Sequence, residues 1–217
     1  MKSILSTKKL STIQKDQLLQ EGLCVVDYDA IAITFLDFEA PKVIDNAIFT
    51  SQQAVRSFLK KSQGVLSIKN CFCVGPKTKS LLEENGLKVI ETGQNATELA
   101  QNIVKNYKNC IFHYFCGTIR REELPKVLKS EKIGLFEVKT YKTVLKTKKF
   151  DQNWDGILFF SPSGVASYIS ENKDQRNTHA FCIGQTTAAS AKKHFKNVVV
   201  APTNTIESVL EKTIEAL

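Results

Sequence analysis

Along this chain, short runs of β-branched and other apolar residues take turns with longer stretches whose apolar positions recur at helical spacing. That is the pattern of parallel strands covered by helices. Ser3 to Ser6 predicts a strand, and Ser11 to Gly22 a helix opened by an S-x-x-Q capping box at Ser11 and Gln14 and closed by Gly22. Leu23 to Val26 and Ala30 to Phe35 read as strands. Ala47 to Thr50 is a strand feeding a helix over Gln53 to Lys61, and Cys71 to Val74 feeds a helix over Lys77 to Asn85 that Gly86 ends. Val89 to Glu91, Thr97 to Tyr107, Cys110 to Phe115, Ile119 to Ser130 and Leu135 to Val144 continue as strand, helix, strand, helix, strand.

The pattern is written twice, about half a chain length apart. Ile48 to Val55 (IFTSQQAV) matches Leu158 to Val165 (LFFSPSGV); Phe72 to Thr78 (FCVGPKT) matches Phe181 to Thr187 (FCIGQTT); Asn95 to Glu98 (NATE) matches Asn204 to Glu207 (NTIE). A period this long is a domain rather than a solenoid unit, so the expectation is two similar lobes facing each other across a cleft. Each copy reads β-α-β, then β-α-β-α-β-α. Lys142 to Phe150 with Asp151, Gln152 and Asn153 is the clearest connector, and Ala40-Pro41 a weaker break. The first β-α-β of a copy can complete its own lobe or the other one, and the pattern leaves that choice open.

At 217 residues the chain is long enough for two such lobes. No apolar run approaches the roughly 20 residues of a membrane span, and Met1 to Leu10 lacks a signal-peptide pattern, so a cytoplasmic protein is expected. The six cysteines form no C-x-x-C pair and mostly sit in apolar runs, which reads as reduced, buried thiols without a metal site. His113, His179 and His194 stand apart and form no ligand pair. A net charge of +8 favours an anionic partner. Nucleic acid is not expected, because no basic stripe interleaved with aromatics, helix-turn-helix or RNP-like strand is present.

In open parallel sheets ligands bind where strands lead into helices, and free amides there hold carboxylates or phosphates. Thr50-Ser51, Gly75 to Thr78, Gly117-Thr118, Ser161 to Gly164 and Gly184 to Thr187 all stand at such turns. Each hydroxyl is either a plain N-cap or an anion contact. Arg120 and Arg121, read as lying in a first helical turn, oppose the helix dipole unless an anion or Glu122 and Glu123 answer them. Lys8-Lys9 after the first strand raises the same question. Walker, Rossmann and G-x-S-x-G motifs are absent, and Ser161 has no evident base partner.

Six motifs in order resemble the uroporphyrinogen-III synthase family: I-F-T-S-x-x-A-V at Ile48 to Val55, C-V-G-x-x-T at Cys73 to Thr78, and C-G-x-x-x-R-E-x-L-P at Cys116 to Pro125. V-x-x-Y-x-T-V at Val138 to Val144, F-F-S-P-S-G-V at Phe159 to Val165 and I-G-x-T-T-A at Ile183 to Ala188 complete the set. The resemblance runs from Ile4 to near the C-terminus. It implies an α/β fold of two flavodoxin-like parallel-sheet lobes joined by a two-stranded ladder. Lobe 1 would be residues 1–34 with 147–217 and lobe 2 residues 38–142, with connecting strands near 30–37 and 138–147.

The resemblance also implies a monomeric hydro-lyase of haem biosynthesis that needs no metal or organic cofactor and makes transient contact with the enzyme before it in the pathway. Its substrate, hydroxymethylbilane, carries eight carboxylates, loses water and closes with its last ring inverted to give uroporphyrinogen III. Tyr141 matches the family's tyrosine on the connecting strand and is the candidate proton donor or positioning group; the plain alternative is an aromatic packed at the lobe junction. Thr50, Ser51, Thr78, Ser161, Ser163 and Thr187, with Gly75, Gly117, Gly164 and Gly184, are the candidate carboxylate contacts, and Arg121 falls on the family's arginine. At the corner of Thr7 and Lys8 the family usually has Thr-Arg-Pro; a lysine keeps the charge but loses the bidentate fork. A non-catalytic two-lobed binder of small anions is the competing reading.

Overall fold

A computed structural model describes residues 1–62, 64–172 and 178–217. In chain order the first half runs β1 (Lys2–Ser6), α1 (Thr12–Gln20), β2 (Leu23–Asp27), β3 (Ile31–Phe35), β4 (Val43–Phe49), α2 (Gln52–Ser62), β5 (Ser67–Val74), α3 (Pro76–Glu84), β6 (Val89–Gly93) and α4 (Ala96–Asn106). The second half runs β7 (Ile111–Gly117), α5 (Glu123–Ser130), β8 (Gly134–Leu145), β9 (Gly156–Phe159), α6 (Pro162–Glu171), β10 (His179–Cys182), α7 (Gln185–Ala191), β11 (Asn197–Val200) and α8 (Ile206–Ala216). The chain divides into two compact units: Met1–Ala32 with Val144–Leu217, and Ile33–Thr143. It passes from the first to the second within β3 and returns within β8.

The first unit holds a sheet of order β11-β10-β9-β1-β2, and the second a sheet of order β3-β8-β7-β4-β5-β6. The pairs along β2 to β11 and from β8 to β6 are parallel. Set against the repeat, the β-α-β at the start of each copy pairs with the later strands of the other copy. Thus β1 lies beside β9, and β7 beside β4.

Strands this apolar must be covered on both faces, and they are. In the first unit Leu5, Ile157 and Phe159 face Tyr168 of α6 and Ala188 of α7. The alternating residues Ile4, Leu158 and Phe181 face Leu18 of α1 and Leu210 of α8. In the second unit Phe49, Cys73 and Phe115 meet Phe58 of α2 and Leu82 of α3, while Ile48, Phe72 and Phe112 meet Leu99 of α4 and Leu128 of α5. Each unit is therefore an α/β sandwich, the fold class expected.

Most elements fall where the pattern predicts. Ser11 accepts from the Gln14 amide and Gln14 answers the Ser11 amide, the capping box read from sequence. One helix is corrected: α5 starts at Glu123, not Ile119. The Thr118 amide is bound by the Tyr141 carbonyl at 2.9 Å and Arg120 by Glu137, which keeps the segment before Glu123 out of the helix. Arg120 and Arg121 consequently precede the helix, and the dipole argument does not apply to them. The six cysteines are free, with Cys24 exposed, Cys110 half-buried and the other four buried.

Phe115 is the hub of the second unit, stacked on Phe49 at 5.1 Å and edge-on to Phe58 and Phe38 at 5.2 and 5.8 Å. Phe115→Ala is expected to cost about 4 kcal/mol and Phe115→Leu about 1 kcal/mol, read from urea unfolding. Equal stability of the alanine variant and wild type would contradict this packing.

Candidate functional site

Because paired strands run parallel, each sheet gathers its strand-to-helix turns at one edge, and the sequence-predicted residues stand there. In the second unit β4 leads into Thr50 and Ser51, β5 leads into Gly75, and β7 ends in Gly117 and leads into Thr118. Tyr141 comes to the same edge from β8, opposite Gly117 across a register shift in the β7–β8 pair.

Gly117 acts through what it lacks. A Cβ built there would lie 2.8 Å from Tyr141 Cζ and 2.9 Å from Cε2. The Tyr141 ring thus rests on the Gly117 backbone, and its hydroxyl donates to Ser51 Oγ at 3.2 Å. Ser51 Oγ also accepts from the Gln53 amide at 3.1 Å. Beside it, Thr50 Oγ1 is 2.8 Å from the hydroxyl of Tyr114. The sequence reading passed over Tyr114, although a tyrosine inside a run expected as a buried strand signals a hydroxyl in need of a partner.

Gly75 has φ of 81°, a left-handed value that favours glycine, but its amide already donates to the Gly93 carbonyl at 2.9 Å. With Pro76 carrying no N–H, the amides left without an intrahelical acceptor are those of Lys77 and Thr78. Thr78 is buried at the third position of α3, as Thr187 is at the third position of α7.

Arg120 pairs with Glu137 and with Glu122, the latter at 2.6 Å, so Glu137 rather than the expected Glu123 completes its pairing. Lys139 reaches the same Glu137 at 2.5 Å. Hydrogen bonds from Arg120 and Lys139, partly opposed by burial, hold the Glu137 carboxyl down at about 2. Arg121 is exposed and lines an open pocket of about 540 Å³ with Asn95, Ala96 and Thr97 at the start of α4.

The first unit repeats the arrangement with differences. Ser161 caps α6 by accepting from the Gly164 amide at 3.0 Å, which commits both groups to the cap. Ser163 is half-buried beside them. Gly184 precedes α7, and a Cβ there would lie 2.6 Å from Asn204 Oδ1. Thr7 is turned inward: it is buried and its hydroxyl donates to the Leu158 carbonyl at 2.7 Å. Lys8 is exposed at the end of β1. Among the described residues, no three His, Cys, Asp or Glu gather as metal ligands, and no helix is long and apolar enough to cross a membrane.

A family model described as uroporphyrinogen-III synthase HemD matches residues 15–211. A porphyrin biosynthesis protein HemD of Ruminiclostridium josui is 28% identical over 190 residues, covering 77% of this chain and 37% of that protein. A uroporphyrinogen-III synthase of Saccharomyces cerevisiae is 27% identical over 180 residues, covering 66% of each. The chain thus spans less than two thirds of the length of either relative. Two solved structures share the fold: the Helicobacter pylori uroporphyrinogen-III synthetase, with TM-score 0.74 and 16% identity over all of both chains, and a mutant Thermus thermophilus uroporphyrinogen III synthase, with TM-score 0.67 and 13% identity over 100% of this chain and 98% of that one.

Gly117→Ala is expected to push the Tyr141 ring off its seat and break the bond to Ser51, visible in a crystal structure of the variant; an unmoved ring would contradict the close approach. The depressed Glu137 pKa makes a second prediction. Stability from its pairing is fully present above about 4.5, the unfolded value, and is lost as pH falls toward about 2. Glu137→Gln should remove on the order of 1–2 kcal/mol of that acid-dependent stability after solvent screening. Parallel stability–pH curves for variant and wild type across this window would refute it.

Proposed function

The chain belongs to the uroporphyrinogen-III synthase family, and from that premise we propose that it converts hydroxymethylbilane to uroporphyrinogen III, releasing one water and inverting the terminal ring. The observation that carries the reading, beyond membership, is the Tyr141 hydroxyl held at a sheet edge beside Ser51 and Thr50, on the strand where the family resemblance puts its tyrosine.

The reaction asks more for placement than for chemical force. Loss of the hydroxyl from an electron-rich pyrrole leaves an electrophilic azafulvene, which the last ring attacks unaided to give the symmetrical type I isomer. The catalyst has to present the substituted carbon of the last ring instead, a task of proximity and orientation. Hydroxyls and helix-start amides in both units are suited to the carboxylates that fix the folded chain: Thr50, Ser51 and Thr78 in one, Ser163, Gly184 and Thr187 in the other. Arg121 adds a cation at the second unit's edge, Lys8 one at the first, and the net charge of +8 favours a polyanionic substrate. Tyr141 gives its hydroxyl proton to the departing hydroxyl, which leaves as water, and the phenolate is reprotonated by the proton that the last ring releases when it regains aromaticity after closure. On this reading the protein works as a cytoplasmic monomer supplied by the enzyme that makes the bilane.

Incubation with freshly prepared hydroxymethylbilane, oxidation and chromatographic separation of the isomers tests the proposal. Type III product above the uncatalysed rate is expected, and type I alone at that rate would overturn it. Tyr141→Phe is expected to slow turnover about a hundredfold, and Ser51→Ala about fivefold. Wild-type turnover by Tyr141→Phe would remove the proton-donor role.

A further inference from the structure

Tyr114 carries a hydroxyl where the fold needs only a ring. It is 2% exposed and packs in the cluster of Ile48, Phe112 and Leu124; Phe112, its neighbour on the same face of the strand, fills that cluster without a polar atom. A buried phenol needs a partner or it destabilises the core. Tyr114 pairs with Ile48 in register, and Thr50 lies two residues beyond Ile48, so the phenol reaches diagonally to the sheet edge. There its oxygen is 2.8 Å from Thr50 Oγ1, its hydrogen-bond partner among the described residues.

The direction of that bond follows from burial. Among the described residues the Tyr114 hydrogen has no other acceptor, whereas half-buried Thr50 can direct its own hydrogen outward. Burial pushes the Tyr114 hydroxyl up to about 12, despite the opposing bond to Thr50, so it keeps its proton at neutral pH. Burial thus favours the phenol as donor and Thr50 Oγ1 as acceptor, with the Thr50 proton turned away from the core. Next to it, Ser51 Oγ receives the Tyr141 hydroxyl. Tyr141 packs against the α2–α3 face of the sheet and Tyr114 within the α4–α5 face, so two tyrosines from opposite faces each fill an acceptor position on one of two adjacent hydroxyls.

We infer that Tyr114 is a positioning residue: by donating to Thr50 it makes the Thr50 hydroxyl a fixed donor toward a carboxylate of the substrate. A freely rotating threonine can accept or donate, but one whose acceptor face is occupied selects an anionic oxygen and loses no rotor freedom on binding. The inference rests on the synthase reading, and its test separates the two.

Affinity for uroporphyrin III, the stable octacarboxylate obtained by oxidising the product, is measured by fluorescence, alongside KM, kcat and thermal midpoint for wild type, Y114F, T50V and the double variant. Y114F is expected to weaken affinity and raise KM about fivefold, with kcat nearly unchanged and the fold intact. In the T50V background Y114F should add nothing, while in a T50S background, which retains the acceptor oxygen, the fivefold loss should return. A wild type that neither binds uroporphyrin nor forms type III product overturns both readings. A wild type that does both, with Y114F at wild-type affinity or with Y114F and T50V effects that multiply, overturns the role of Tyr114 alone.

Discussion

Parallel strand pairing is the constraint from which the rest follows. When neighbouring strands run the same way, every strand must hand the chain to a returning helix, and the hand-overs collect at one edge of the sheet. In each unit that edge gathers helix-start amides, small residues that let a ligand near the backbone, and hydroxyls that a helix cap would have selected in any case. Function needs only that some of them be released from capping. Ser161 and Ser51 each hold a helix-start amide, of Gly164 and of Gln53, whereas Thr50 holds none among the described residues; tyrosine hydroxyls stand beside both Ser51 and Thr50.

The duplication is not two independent halves. The β1-α1-β2 segment of the first copy lies beside β9 of the second, and β7-α5-β8 lies beside β4 of the first. Either copy alone would leave strand edges unpaired, a hazard that the exchange removes. The copies have also drifted in chemistry. Asn95 caps α4, whereas at the matching place in the repeat the cap has moved one residue to Thr205, and Asn204 lies against Gly184 instead.

What could be read from sequence was local or periodic. The capping box at Ser11 and Gln14, the left-handed glycines Gly22 and Gly86 after their helices, and the alternation of strand and helix depend on residues a few positions apart. Burial of the strands on both faces was legible for the same reason. The illegible part was set by partners distant along the chain. Nothing near Arg120 points to Glu137, and nothing near Gly75 shows that its amide is taken by Gly93. Gly117 looked like a ligand contact because it stands at a turn; only the Tyr141 ring arriving from β8 shows why a side chain there is excluded. The helix of α5 was read too early because T-I-R-R is compatible with a helix, and it is the cross-strand bond from Thr118 to Tyr141 that keeps the chain outside one.

The central claim is that the hydroxyls and amides at these strand ends are carboxylate contacts rather than caps alone. A crystal structure with uroporphyrin III bound tests it most directly. The account predicts carboxylate oxygens within hydrogen-bond distance of Thr50 and Ser51. A porphyrin seated instead at the opposite part of the second unit, in the 610 Å³ pocket lined by Val43, Ile111 and Phe136, with those hydroxyls untouched, would contradict it.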